Sequence, residues 1–264
     1  MLRNHCRGFS LTELAIVLLI VLLLTTGLIV PLSAQVDQRR MRETQQMLEQ
    51  AQEALLGFAA ANGRLPCPAT AASLGRESFD TSPPIGTPAN GKCATFFDGF
   101  LPSVDLGLSP TDSQGFFVDA WGGDPANRIR YAVANSTVNG VSNPFTTTGT
   151  ITTGMKGAGM ANLADGIFLH VCSSGTGITS TDCGTAVTLT SKAPALVYSV
   201  GKNAATGGTG TDERVNPNPN GGVADKIFVS HQTSDVAGNR FDDQFVWISL
   251  NTLMARMLTA GQLP

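Results

Sequence analysis

Oxygen-bearing side chains gather toward the end of the chain, with Asn203, Asp212 and Glu213 in one polar stretch and Asp242 and Asp243 in another. A hard cation such as calcium takes several oxygen ligands, and two loops carrying these five residues can supply them. Their intervals follow no EF-hand pattern, and the plain alternative is a set of solvated turn carboxylates. Read as adjacent strand residues, Asp242 and Asp243 would face opposite sides and be poorly placed to share one proton. His170, Cys172, Cys183 and Asp165 include the ligand types of a zinc site. In an oxidising compartment, however, the two cysteines are expected to bond to each other. His231 stands alone in the sequence, as a surface or strand histidine would. H-E-x-x-H, G-x-S-x-G and phosphate-loop patterns are absent. Gly157-Ala158-Gly159 opens like a dinucleotide loop, but Asn162 takes the third glycine position and no βαβ unit follows. No catalytic residue is assigned, and the chain reads as a non-enzyme.

Cysteine and one misplaced acid supply the remaining chemistry. Five cysteines stand at 6, 67, 93, 172 and 183, and Cys6 lies beside Arg3 and Arg7 in a basic start. The other four can make two disulfides. Cys67–Cys93 and Cys172–Cys183 close short loops and are the preferred pairs, and the two other connectivities stay open. Glu13 opens a long apolar run, where an ionised carboxylate is costly unless paired. It either stays wet at the headgroup level or meets a positive group on another chain.

The elements that must carry these residues follow from the hydrophobic pattern. Residues 9–30 form a run of 22 residues, about 33 Å as a helix and long enough to cross a bilayer core. Arg3 and Arg7 ahead of it predict an N-terminus on the cytoplasmic side. A secretory signal fits less well, because the apolar stretch is too long and Thr25-Thr26-Gly27 makes a poor exit site. Residues 31–62 continue as an amphipathic helix with Met41, Leu48, Ala51, Leu55 and Phe58/Ala59 on one stripe. Pro31 is expected to kink the helix rather than end it. Asn62-Gly63 and Pro66 should stop it. Residues 63–264 read as one extracytoplasmic β-rich domain, with strands expected at 116–118, 129–134, 167–171, 195–200, 227–230 and 245–248. Residues 81–91, 135–154 and 206–222 are turn-rich, and the last is too polar for a core and is expected to be an exposed loop. A short amphipathic helix is expected over 250–258. With a formal charge of -3, two Trp and two Tyr, no nucleic-acid platform is expected.

Gly8-Phe9-Ser10-Leu11-Thr12-Glu13, after a short basic leader and before an apolar helix, resembles the type IV prepilin processing motif. The resemblance implies that residues 1–8 are a leader removed by a prepilin peptidase after Gly8, with methylation of Phe9. It also implies that Glu13 neutralises the Phe9 amine, chiefly that of a neighbouring subunit, during assembly. Leu65-Pro66-Cys67-Pro68 resembles a junction in some pilin-like proteins. Asp119-Ala120-Trp121-Gly122 through Tyr131 resembles the D-P-W-G-x-P-x-x-Y region of major pseudopilins, with Ala120 in place of the proline and a longer interval to Tyr131. Val197-Tyr198-Ser199-Val200-Gly201 is similar to the strand before their C-terminal loop, which in secretion pseudopilins binds calcium.

The implied fold is α+β and pilin-like, a long N-terminal helix (membrane half plus amphipathic half) packed on an antiparallel β-sheet domain with long loops. The implied function is a structural subunit, a minor pilin or pseudopilin, of a type IV pilus or type II secretion pseudopilus. Its expected partners are a prepilin peptidase, other pilin or pseudopilin subunits and the bacterial inner membrane. The globular domain would be periplasmic, or extracellular in the filament. The rival expectation is a single-pass anchored extracytoplasmic binding domain or enzyme that never polymerises. Glu13→Leu separates the two, being harmless to a plain anchor and damaging to a filament subunit.

Overall fold

From Leu11 to Asn62 the chain forms one 52-residue helix, α1, running unbroken through position 31. The computed structural model describes residues 10–122, 125–206, 208, 210–219 and 222–263, the side chains of 23–32 excepted. The helix stops at Gly63, whose φ of +69° suits a residue without Cβ and whose N–H bonds the Ala59 carbonyl at 2.9 Å. By its contacts the chain divides into two units, Met1–Arg42 and Glu43–Pro264.

In the first unit a row of apolar side chains lies open. Leu11, Leu14, Ile16, Val17, Leu18, Leu19, Ile20, Val21 and Leu22 are 48–88% exposed. Residues 1–9 lie outside the described residues, so the leader, Cys6 and the start of the 9–30 span do too. Among the described residues no helix is long and apolar enough to cross a membrane.

In the second unit the amphipathic stripe of α1 is buried at Leu48, Ala51, Leu55 and Ala59, while Phe58 is half-buried. Leu48, Ala51, Leu55, Leu56 and Ala59 are 0–2% exposed and belong to one large core. The strands are β1 (Gly99–Phe100), β2 (Arg130–Val133), β3 (Thr137–Val138), β4 (Val141–Ser142), β5 (Leu169–Cys172), β6 (Thr188–Ala193), β7 (Ala195–Ser199), β8 (Ile227–Val229) and β9 (Gln244–Ile248). An antiparallel sheet of order β1-β2-β7-β9 contributes buried side chains of β2, β7 and β9 to that core. Its register places Arg130 opposite Tyr198 and Tyr198 opposite Phe245, and the last two rings stack at 4.8 Å. A second sheet runs β6-β5-β8, with β5 and β8 parallel, and β3-β4 is a small hairpin. The short helices are α2 (Ser103–Leu106), α3 (Gly154–Ala158) and α4 (Met160–Asp165). The terminal α5 (Leu250–Thr259) is capped by Ser249 and buries Leu250, Leu253 and Met257. The class is α+β, as the sequence led us to expect, with the parallel β5–β8 pair as an addition to an otherwise antiparallel arrangement.

Two expected features differ. Residues 116–118 form isolated bridges, Thr111 with Phe117 and Val118 with Arg128, rather than a strand. Phe116 and Phe117 are both fully buried, so the segment is gripped on two sides where a strand at the surface would alternate. The 206–222 stretch is not simply exposed, since Asp212, Glu213 and Asn216 are 3%, 2% and 0% exposed. Its polar side chains enter the interior because each brings a hydrogen-bond partner. Asn216 donates to the Val229 carbonyl at 3.0 Å and accepts from the Val229 N–H at 2.8 Å, acting as an extra rung beside β8.

The four cysteines of this unit pair as neighbours. Cys67 bonds Cys93 and Cys172 bonds Cys183, with Cα separations of 5.3 and 5.5 Å. The second pair belongs to a small apolar cluster with Ile227, Val229 and Phe241.

Candidate functional site

Two groups of residues carry chemistry. At the start of α1, Ser10 and Glu13 hold each other. The Ser10 N–H donates to Glu13 Oε2 at 2.9 Å and the Glu13 N–H donates to Ser10 Oγ at 3.2 Å. This is the reciprocal capping box that a Ser-x-x-Glu spacing permits, and it satisfies helix-end donors that would otherwise lack partners. Gly8 and Phe9, the expected cleavage and methylation positions, lie outside the described residues.

The second group is acidic. Glu213, Asp242 and Asp243 offer carboxylate oxygens that all lie within 4.8 Å of one another, and among the described residues they are the one such group of possible metal-ligating side chains. Glu213 comes from the polar 206–222 stretch, while Asp242 and Asp243 come from the irregular backbone just before β9. That backbone corrects the alternation expected of strand neighbours, because outside a strand both carboxylates can turn to the same side. Glu213 is well supplied with donors: Asn203 Nδ2 at 3.1 and 3.2 Å, the Asp242 N–H at 2.9 Å and the Gly208 N–H at 3.3 Å. Asp243 accepts from Asn216 Nδ2 at 2.7 Å.

Burial, followed by the negative charge of Glu213, pushes the Asp242 carboxyl up to about 7. Burial also pushes Asp243 well above the usual carboxylate range, against the pull of its Asn216 hydrogen bond. Asp242 Oδ1 is buried without a hydrogen-bond partner. An orphaned carboxylate oxygen beside two further carboxylates fits a divalent cation, which supplies the missing positive charge and takes oxygen ligands.

The structure therefore brings together Glu213, Asp242 and Asp243, with Asn203 bonded to the first. It does not bring Asp212 to them. Asp212 Oδ1 accepts from the Gly175 N–H at 2.5 Å and Ser174 Oγ at 3.0 Å, and Oδ2 accepts from Asn239 Nδ2 at 2.7 Å. His231 Nε2 lies 3.0 Å from the same Oδ2, and the His231 ring stacks on Phe241 at 3.9 Å. Burial works to raise the Asp212 carboxyl, but these donors outweigh it and hold the group below its ordinary value. Asp212 and His231 thus fasten loops to each other, and His231 is not the isolated residue its sequence position implied. His170 is buried with neither ring nitrogen bonded, and its partner in the zinc alternative, Cys172, is consumed by a disulfide. Asn216 went unnoticed in the sequence, and the Asn-Pro-Asn-Pro repetition around it was the signal available.

Neither a curated protein nor a solved structure matches the chain. Over residues 3–29, spanning the basic start, the Ser10–Glu13 box and the exposed apolar row, it matches the family model described as the prokaryotic N-terminal methylation motif, consistent with the type IV prepilin and pseudopilin family.

Proposed function

We propose that this chain is a structural subunit, a minor pilin or pseudopilin, of a type IV pilus or type II secretion pseudopilus. The methylation motif over residues 3–29 carries the proposal. A prepilin peptidase would cut after Gly8 and the new Phe9 amine would be methylated. The inner membrane would hold the precursor through residues 9–30, N-terminus in the cytoplasm, with the domain beyond residue 62 outside it. The row of open apolar side chains from Leu11 to Leu22 supports this, since such a surface in water marks a missing apolar partner, either lipid or the helices of other subunits. Assembly is assigned to Glu13, whose carboxylate would pass from the Ser10 N–H to the Phe9 amine of a neighbour.

A divalent cation, calcium by the hardness of its donors, would be held by Glu213, Asp242 and Asp243 with Asn203 alongside. Bound there, it would neutralise carboxylates that otherwise repel one another and would join the 206–222 stretch to the approach of β9. The chain is assigned no reaction of its own.

Intact-mass and N-terminal peptide analysis, with and without a prepilin peptidase, tests the processing. A mature chain beginning at methylated Phe9, formed only with the peptidase, is the expected result. An uncut chain, or one cut after the apolar run, would instead favour an anchored or secreted domain.

A further inference from the structure

Asp119-Ala120-Trp121-Gly122 has so far been given no role, yet its first residue is a buried junction of several segments. Asp119 is 4% exposed. Its Oδ2 accepts from Ser199 Oγ at 2.5 Å and from Asn127 Nδ2 at 3.1 Å, and its Oδ1 accepts from the Trp121 N–H at 2.9 Å. The two Oδ2 partners reach onward to one turn, where Asn127 Nδ2 donates to the Gly201 carbonyl at 2.8 Å and Ser199 Oγ accepts from the Gly201 N–H at 3.1 Å. Gly201 lies directly on the acidic cluster. At φ +70° it has no Cβ, and one placed there would stand 2.7 Å from Asp242 Cγ. On the other side, the Ala120 N–H donates to Thr44 Oγ1 at 3.2 Å, on a fully buried threonine of α1.

We propose that Asp119 is a positioning residue. Through Asn127 and Ser199 it holds the Gly201 turn against Asp242, and it thereby links cation occupancy at Glu213, Asp242 and Asp243 to the 119–122 segment seated on α1 at Thr44. This rests on the cation assignment made above. The physical basis is the usual one for groups behind a ligand shell. A ligand carboxylate is only as well aimed as the backbone beside it, and losing a partner behind the ligands typically weakens metal binding about 10–100-fold. The coupling element is a contiguous set of buried hydrogen bonds with every distance within bonding range, and a polar network of this kind shifts as a unit because each member left unpaired is costly.

The test uses the full-length chain in detergent micelles, with calcium titrated calorimetrically and amide hydrogen exchange followed with calcium or with a chelator. In the wild-type chain calcium should slow exchange at Ala120 and Trp121 as well as around Asn203 and Glu213. Asp119→Ala should weaken calcium binding at least tenfold and remove the calcium dependence at 120 and 121. A purely structural Asp119 would lower the melting temperature but leave both of those readouts unmoved. Exchange at 120 and 121 that ignores calcium in the wild-type chain overturns the link, whatever the variant does. That measurement decides the matter if Asp119→Ala does not fold. Wild-type calcium affinity in a folded Asp119→Ala overturns the positioning role alone and leaves the cation site standing. No calcium heat in the wild-type chain overturns the site, and the link with it.

Discussion

Asp242→Asn should make the protein more stable without calcium and less stable with it. The substitution removes one charge from three carboxylates gathered within 4.8 Å. Burial and the Glu213 charge raise the Asp242 carboxyl from 3.8 to about 7. Because the folded state holds this proton to higher pH than the unfolded chain, the associated stability is complete below about pH 4 and is lost as pH climbs to about 7. At about 1.4 kcal/mol per pH unit the loss at pH 8 would be about 4 kcal/mol for a fully sealed group. Water reaching the exposed part of Asp242 reduces this to about 2 kcal/mol. Asparagine carries no charge and escapes the loss, so in chelator at pH 8 the variant should melt about 4–8 °C above wild type. With calcium at 100 times its dissociation constant the wild-type chain gains about 2.7 kcal/mol, and a variant lacking one ligand should gain far less. The order of the two melting temperatures then reverses. Differential scanning calorimetry at pH 8 and pH 5, in chelator and in calcium, reads all four conditions. A variant that melts below wild type in chelator at pH 8, or a difference that does not shrink by pH 5, would refute the charge reasoning. An undiminished calcium response would refute the ligand role.

Glu13→Leu should leave peptidase cleavage largely intact but impair incorporation into filaments, read by mass analysis of the N-terminus and by immunoblot of sheared filaments; wild-type incorporation would remove the assembly role of that carboxylate. Asn216→Ala should destabilise the domain by about 3 kcal/mol in chemical denaturation, because it strands the Val229 backbone groups and a buried Asp243 oxygen together. Replacing Cys67 and Cys93 together by serine should cost about 3.5 kcal/mol, by the entropy of a loop of sequence separation 26. The same exchange at Cys172 and Cys183, with separation 11, should cost slightly less, and denaturant midpoints under oxidising conditions check the order.

How much was legible in the sequence depended on whether apolar side chains marked the element. Residues 130–133, 195–199 and 244–248 are apolar enough to announce β2, β7 and β9, and the α1 stripe from Leu48 to Ala59 is the buried face found in the structure. β6, Thr188-Leu189-Thr190-Ser191-Lys192-Ala193, was missed because it lies at a sheet edge with largely open side chains, so no period-2 apolar pattern was required of it. The 206–222 stretch was misjudged for the opposite reason. Composition measures the cost of burying a polar group but not the partner that cancels it, and the partners of Asn216 and Glu213 lie at Val229 and Asp242. The acidic residues were identifiable by type. Which of them converge was not, since Asp212 differs from Glu213 by one position and points to His231 instead.

Among the described residues, every buried member of the large core lies at or beyond Leu48. The buried side chains of that core therefore all belong to the second unit. On the function proposed above, a subunit drawn out of a bilayer would exchange one greasy environment for another along the open row from Leu11 to Leu22.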